Sequence, residues 1–235
     1  MNEYTNNSYE ASIASNFIRS VYSYMFIAMA ISGVIAYAVG TNKALFDQLF
    51  MTSDGSTSPV FYVMLFAPIV ISMVIQWGFQ RLSMPILLAL FVAYSASMGS
   101  TLSIIFFAYS TQAIAFTFFV TAGAFAGMAV LGYTTKTDLT KFGSLLYMVL
   151  IGMILGSILN MFIGNGMLDW IITILGVFVF TGLIAYQMQQ LKMVAQSPEF
   201  SAETRNKLAL IGGMQLYILF VNLFLTLLRL LGNRD

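Results

Sequence analysis

Four polar side chains share one face of the last apolar segment of the chain. Gln215, Asn222, Thr226 and Arg229 fall seven, four and three residues apart, spacings that align on a helix. Leu219 lies on the same face and interrupts the stripe, and a further amide, Gln187, sits near one end of the preceding apolar segment. Polar groups at such depth are costly unless paired, so they are where function is sought first. Their chemistry is hydrogen bonding and weak oxygen ligation, as a pore or gate would use. Bundle hydrogen bonding accounts for the amides equally well. Arg229, close to the segment end, has the reach to place its guanidinium among headgroups. Acid–base chemistry is missing. The chain has no histidine and no cysteine, and no Asp or Glu lies deep in an apolar segment. A carboxylate proton relay, an aspartyl or Ser–His protease site and a structural zinc site therefore lack their residues. A calcium site would have to use amides, backbone carbonyls and water, which makes a weak one. No catalytic, cofactor-binding or metal-ligating residue is assigned, and no enzyme is expected.

The elements that must position these side chains are long and apolar. Between Arg81 and Lys136 there is no charged residue, and further charge-free runs cover Ser20–Asn42, Gly55–Gln80, Phe142–Leu168, Trp170–Leu191 and Leu208–Leu228. A helix crosses the hydrocarbon layer in roughly 20 residues, so the longest run holds two crossings and each other run holds one. Charged residues are 8 %, hydrophobic residues 59 % and mean hydropathy +0.86. A soluble core of 235 residues cannot hide that much apolar surface. The expected fold is all-α: a polytopic membrane protein with seven transmembrane helices. The helices are read at about 21–39, 60–79, 85–109, 113–133, 142–163, 168–192 and 207–231. Residues 1–20 read as a flexible cytoplasmic tail, 21–231 as one transmembrane domain and 232–235 as a short carboxyl tail. No basic segment precedes a short apolar core, so no cleaved signal peptide is expected. Net charge is +1, which gives no reason to invoke nucleic acid.

Basic residues set the expected orientation. Arg19, Arg81, Lys136, Lys141, Lys192, Arg205 and Lys207 fall on one side, and Lys43, Arg229 and Arg234 on the other. The richer side is cytoplasmic, which puts the amino terminus inside and the carboxyl terminus outside. Small residues four apart predict close helix packing. They are Ala28, Ser32, Ala36 and Gly40 in the first helix and Ala89, Ala93, Ser97 and Thr101 in the third. Gly123 and Gly127 recur in the fourth helix and Gly152, Gly156 and Asn160 in the fifth, and a contact between those two helices is expected through Gly127 and Gly152 or Gly156.

Several short motifs, taken together, carry a resemblance. They are Gly132-Tyr133-Thr134-Thr135-Lys136-Thr137-Asp138-Leu139, Gly143-Ser144, Leu168-Asp169-Trp170, Gly176-Val177-Phe178-Val179-Phe180, Gly182-Leu183-Ile184-Ala185-Tyr186, Asn222-Leu223-Phe224 and Leu227-Leu228-Arg229. With these the chain resembles the Bax inhibitor-1 family in its bacterial branch. The resemblance implies a seven-helix fold with the seventh helix central. It also implies calcium leak, stress or cell-death suppression, and modulation of a membrane-bound AAA protease. Its partners would be the lipid bilayer, calcium or protons, and a membrane protease. Family members with pH-dependent leak carry an aspartate after the tyrosine of the sixth-helix motif and a second one in the seventh helix. Here those positions are Gln187 and Leu219, while Arg229 matches. The candidate pore or gate is therefore Gln187, Gln215, Leu219, Asn222, Thr226 and Arg229. The expected function is a calcium-leak-like scaffold whose pH-sensing aspartate pair is replaced, so that leak is absent or independent of pH. The alternative is a non-transporting regulator of the protease or of a stress-response assembly. The expected location is the bacterial inner membrane.

Overall fold

A computed structural model describes residues 2–52 and 54–232, the first ten of these by backbone alone. The expected carboxyl tail beyond Gly232 and the amino-terminal residue lie outside the described residues. The helices are α1 Asn2–Gly40, α2 Lys43–Phe50, α3 Pro59–Gly78, α4 Met84–Leu102, α5 Ile105–Ala108, α6 Thr111–Thr134, α7 Thr140–Ile163, α8 Gly166–Gln196 and α9 Ala202–Leu231. Among the described residues, seven helical stretches are long and apolar enough to cross a membrane: Ser12–Gly40, α3, Met84–Ala108, α6, α7, α8 and α9. The first begins well before Val21, and Phe17 is already buried.

Local chemistry sets the ends. Pro59 opens α3 after Ser58, and a proline stands in the first turn of α4, positions where a missing N–H is no loss. Gly164 ends α7 at φ 68°, a left-handed conformation that glycine adopts without penalty. Asn165 then caps α8 by accepting from the N–H groups of Met167 and Leu168 at 2.9 and 3.1 Å. Two features depart from the sequence reading. The loop after the first span contains a two-turn helix, α2, capped by Asn42. The third span is not continuous to Tyr109, since it breaks after Leu102 and resumes as α5. Hydroxyls explain the break. Ser103 Oγ donates to Ser100 O at 2.6 Å, Thr101 Oγ1 donates to Ser97 O and Met64 O, and the following amides bond three residues back. Side-chain bonds of this kind compete with the α-helical ladder and bend it.

The chain forms two compact units. One holds Arg19–Ser110 and Glu199–Tyr217, and the other holds Thr111–Pro198 and the stretch from Ile218. In the first unit, α3 packs on α4 and on α2. The small-residue stripe of α1 is buried there: a Cβ on Gly99 would stand 2.7 Å from the Ser32 carbonyl oxygen. The stripe proposed for the third span is only half realised, because Ala89 and Ala93 are exposed. In the second unit, α6 and α7 both pack on α8. The expected contact between the fourth and fifth spans through Gly127, Gly152 and Gly156 is not made. Nothing lies within 4 Å of a Cβ on Gly123, Gly127 or Gly152, and Gly156 meets only Ile172 of α8, at 3.5 Å. The reason is rotational. The face α6 buries is Thr117, Thr121, Phe125, Ala129 and Gly132, about a quarter-turn or more from the Gly123–Gly127 stripe.

Burial differs sharply among the spans. In the most apolar window of each, 72 % of α9 is buried, against 6 % of α7. The seventh span is the enclosed one.

Candidate functional site

Gln187 and Leu219, in the second unit, are both buried, each 8 % exposed. On the same part of α9, Asn222 and Thr226 are half-buried and Arg229 is exposed in the last turn. Asn222 donates its Nδ2 to Ile218 O at 2.8 Å, and Thr226 donates its hydroxyl to Asn222 O at 2.7 Å. Each thus donates a hydrogen bond within its own helix. Gly176 lets α8 approach here, since a Cβ on it would lie 3.0 Å from Thr226 Cγ2. Gln215 belongs to the first unit, and like Gln187 it has an interaction partner. The stripe therefore does not act as one uninterrupted row of free polar groups. Among the described residues no three His, Cys, Asp or Glu side chains come together. Asp169 sits exposed in the first turn of α8, where the helix dipole favours a carboxylate.

A denser set of polar contacts lies at the other end of α8. Gly132 and Gly143 flank the loop between α6 and α7. A Cβ on Gly132 would overlap the Ala185 carbonyl oxygen, and one on Gly143 would overlap the Tyr186 ring. Glycine is required at both because α8 comes so close. Ala185, Gln189 and Lys192 are four and seven residues apart and share one face of α8. Gln189 Oε1 accepts from the Leu139 N–H, and its Nε2 donates to the Thr137 carbonyl, both at 2.8 Å. Lys192 donates to the Tyr133 carbonyl at 2.7 Å and stands 5.2 Å from the centre of the Tyr133 ring. Asp138 accepts from the Thr140 N–H at 2.9 Å at the start of α7. Its carboxyl is held below the ordinary carboxylate range, first by the hydrogen bonds from Thr140 and further by the charge of Lys141. The Gly132–Leu139 motif is therefore the last turn of α6 and a loop whose N–H and carbonyl groups are both held by side chains of α8. Sequence reasoning singled out the loop but not Gln189 and Lys192, which hold it. Nothing local marks them, since the partners of Gln189 and Lys192 lie 50 to 59 residues away in the sequence.

A second polar feature sits in the first unit. Tyr94 and Tyr217 are at most 1 % exposed, and their rings meet edge to face with centres 6.0 Å apart. Ser32 lies beside the Tyr217 hydroxyl but donates instead to Met29 O at 3.2 Å. The Tyr217 hydroxyl completes no hydrogen bond, and in the other unit the Thr117 hydroxyl completes none either.

The family profile described as Inhibitor of apoptosis-promoting Bax1 matches residues 14–235. The chain belongs to the Bax inhibitor-1 family. With seven helices of spanning length it is an integral, multi-pass membrane protein. A protein of Borreliella burgdorferi is 41 % identical over all of this chain and 99 % of its own length. The inner membrane protein YbhL of Escherichia coli K12 is 38 % identical, covering 93 % of this chain and 92 % of its own. A Caulobacter vibrioides protein is 36 % identical over 93 % of this chain and 89 % of its own. In this Bax inhibitor-1 chain, the clamped loop and the Gly176–Thr226 approach both fall on motifs that carried the resemblance.

Proposed function

We propose that this chain is a calcium-leak-like membrane scaffold whose proton-operated latch has been removed, so that leak is absent or independent of pH. The observation that carries the reading is the burial of Gln187 and Leu219 in a region of the chain without deep carboxylates. Two carboxylates held close in a low-dielectric site cannot both ionise readily, so one pKa rises and the pair titrates as a unit near neutrality. Gln187 does not ionise, and Leu219 offers no hydrogen bond at all. Calcium flux into proteoliposomes should then be equal at pH of about 6 and 8, the range in which an elevated carboxylate pKa acts. Changing Gln187→Asp and Leu219→Asp together should install a pH dependence that neither single change matches. A steep pH switch in the unmodified protein would sink the proposal. The name of YbhL supports placement in a bacterial inner membrane. The distribution of Lys and Arg supports a cytoplasmic amino terminus and an outer carboxyl terminus. Reporter fusions at Gly164 and Ser197 should read outside and inside.

A second reading is a non-transporting regulator of a membrane-bound AAA protease or a stress-response assembly. The clamped loop favours it. The Gln189 bonds hold the loop's backbone in one conformation while Lys136, Asp138 and Lys141 stay exposed. A surface ordered before binding loses less entropy when a partner arrives. Gln189→Ala should then weaken protease co-purification while leaving any calcium flux unchanged. The opposite pattern favours the leak.

A further inference from the structure

The stretch between the first two spans leaves the apolar layer after Gly40 and re-enters it at Pro59. The short helix α2 therefore sits at a membrane surface. On its wheel, Leu45, Phe46, Leu49 and Phe50 form one apolar arc, and Lys43, Ala44, Asp47 and Gln48 form the rest. Part of the arc faces protein. Phe50 is 3 % exposed, and its ring lies 5.0 Å from that of Phe46 and 5.8 Å from that of Phe61. Phe46 meets Phe107 with centres 4.5 Å apart. Phe50 also walls a small void with Phe61, Met64, Thr101 and Ile104. The remaining edge, Leu49 of the arc and Met51 just past the helix, is only partly covered among the described residues. Leu49 and Met51 are 38 % and 41 % exposed. α2 packs on the start of α3, through Phe50 and Phe61, and there Val60, Tyr62 and Val63 are apolar and exposed. A turn closes the segment: the Asp54 carboxylate accepts from Ser56, Gly55 takes φ 80°, and Met51 bridges Thr57.

We infer that α2 is an interfacial helix, with Leu49 and Met51 seated at the headgroup–acyl boundary of the bilayer and Phe50 thereby held over the void. The occupant of the exposed edge is lipid, because α2 packs on the start of α3, a spanning helix whose exposed residues there are apolar. The seating is apolar rather than electrostatic. The charges of α2 are one Lys and one Asp, which cancel, so anionic headgroups add no net attraction.

The chain contains no cysteine, so single-cysteine variants carry a nitroxide label without background. Leu49→Cys, Met51→Cys, Ala44→Cys and Gln48→Cys, each in full-length protein in phosphatidylcholine vesicles, report collisions with oxygen and with a water-soluble nickel chelate. Labels at 49 and 51 should favour oxygen several-fold, and labels at 44 and 48 should favour nickel. All four favouring nickel would mean that α2 projects into water. All four shielded from both would mean that protein, such as a second copy of this chain, covers the edge. Either result overturns the inference. Enriching the vesicles in phosphatidylglycerol should leave the ratios unchanged, and a several-fold shift would overturn the apolar seating.

Discussion

α7 and α9 are made of similar material and have opposite surroundings. Both are charge-free over most of their length, and both are long enough to span. Yet α7 buries only Gly143 and Leu146, at one end, whereas α9 buries side chains along almost its whole length. In water, hydrophobicity predicts burial. In lipid, acyl chains solvate Leu and Ile as well as a protein interior does, so apolarity says only that a segment is in the membrane. What separates the two helices is shape. α7 meets α8 along one face only, closely at Gly143 and Gly182 and more loosely at Gly156, and the rest of its surface is exposed.

The sharpest break of this comparison is steric. Gly132→Leu should prevent α8 from seating, because the new side chain must displace the Ala185 backbone. Gly127→Leu, on the open face of the same helix, should be tolerated. We expect a loss of about 3 kcal/mol or more for the first, and under about 0.5 kcal/mol for the second, in thermal unfolding in detergent. Equal effects would mean that α6 is rotated from the position described.

Cavity formation tests the enclosed helix against the bare one. Leu216 of α9 is fully buried, and Leu155 of α7 is 58 % exposed. Leu216→Ala should cost about 2–5 kcal/mol, and Leu155→Ala within about 0.5 kcal/mol. If Leu155→Ala proved the costlier, α7 would be covered by protein in the folded assembly.

Gln189→Ala removes both bonds to the loop and leaves the Leu139 N–H and the Thr137 carbonyl to find other partners. A cost of about 1–3 kcal/mol is expected, with faster hydrogen exchange at the Leu139 amide. No change in that exchange would mean the loop holds itself.

The buried Tyr217 hydroxyl makes the opposite case. A hydroxyl that forms no bond stabilises nothing, so Tyr217→Phe should be neutral or raise stability by up to about 1 kcal/mol. A clear loss would mean that the hydroxyl bonds a water molecule or Ser32.

The smallest effect is electrostatic. The Asp138 carboxyl is depressed in the folded chain, so its contribution is present above the ordinary carboxylate range and is lost as pH falls through the folded value. The protection of the Thr140 amide, its exchange relative to the intrinsic rate at each pH, should fall on acidification, and in Asp138→Asn that change in protection should vanish.

The charge-free runs alone determined the all-helical class and the seven crossings, because charge at membrane depth is costly and span length is set by the bilayer. The motifs from Gly132 to Arg229 were enough to place the chain in its family. Tertiary structure decided which face of each span meets another. The Gly123, Gly127 and Gly152 stripes read as contacts and are open, while Gly132, Gly143 and Gly182 make the close approaches. A glycine permits approach but does not cause it, and helix rotation is fixed by every neighbour at once. The candidate stripe divided in the same way. Its spacing on α9 was legible in the sequence. That Asn222 and Thr226 bond back to their own helix, and that Gln189 rather than Gln190 holds the distant loop, depended on where α8 and α9 stand. Side-chain partners across dozens of residues leave no local trace in a sequence when most of the intervening residues are equally at home in lipid.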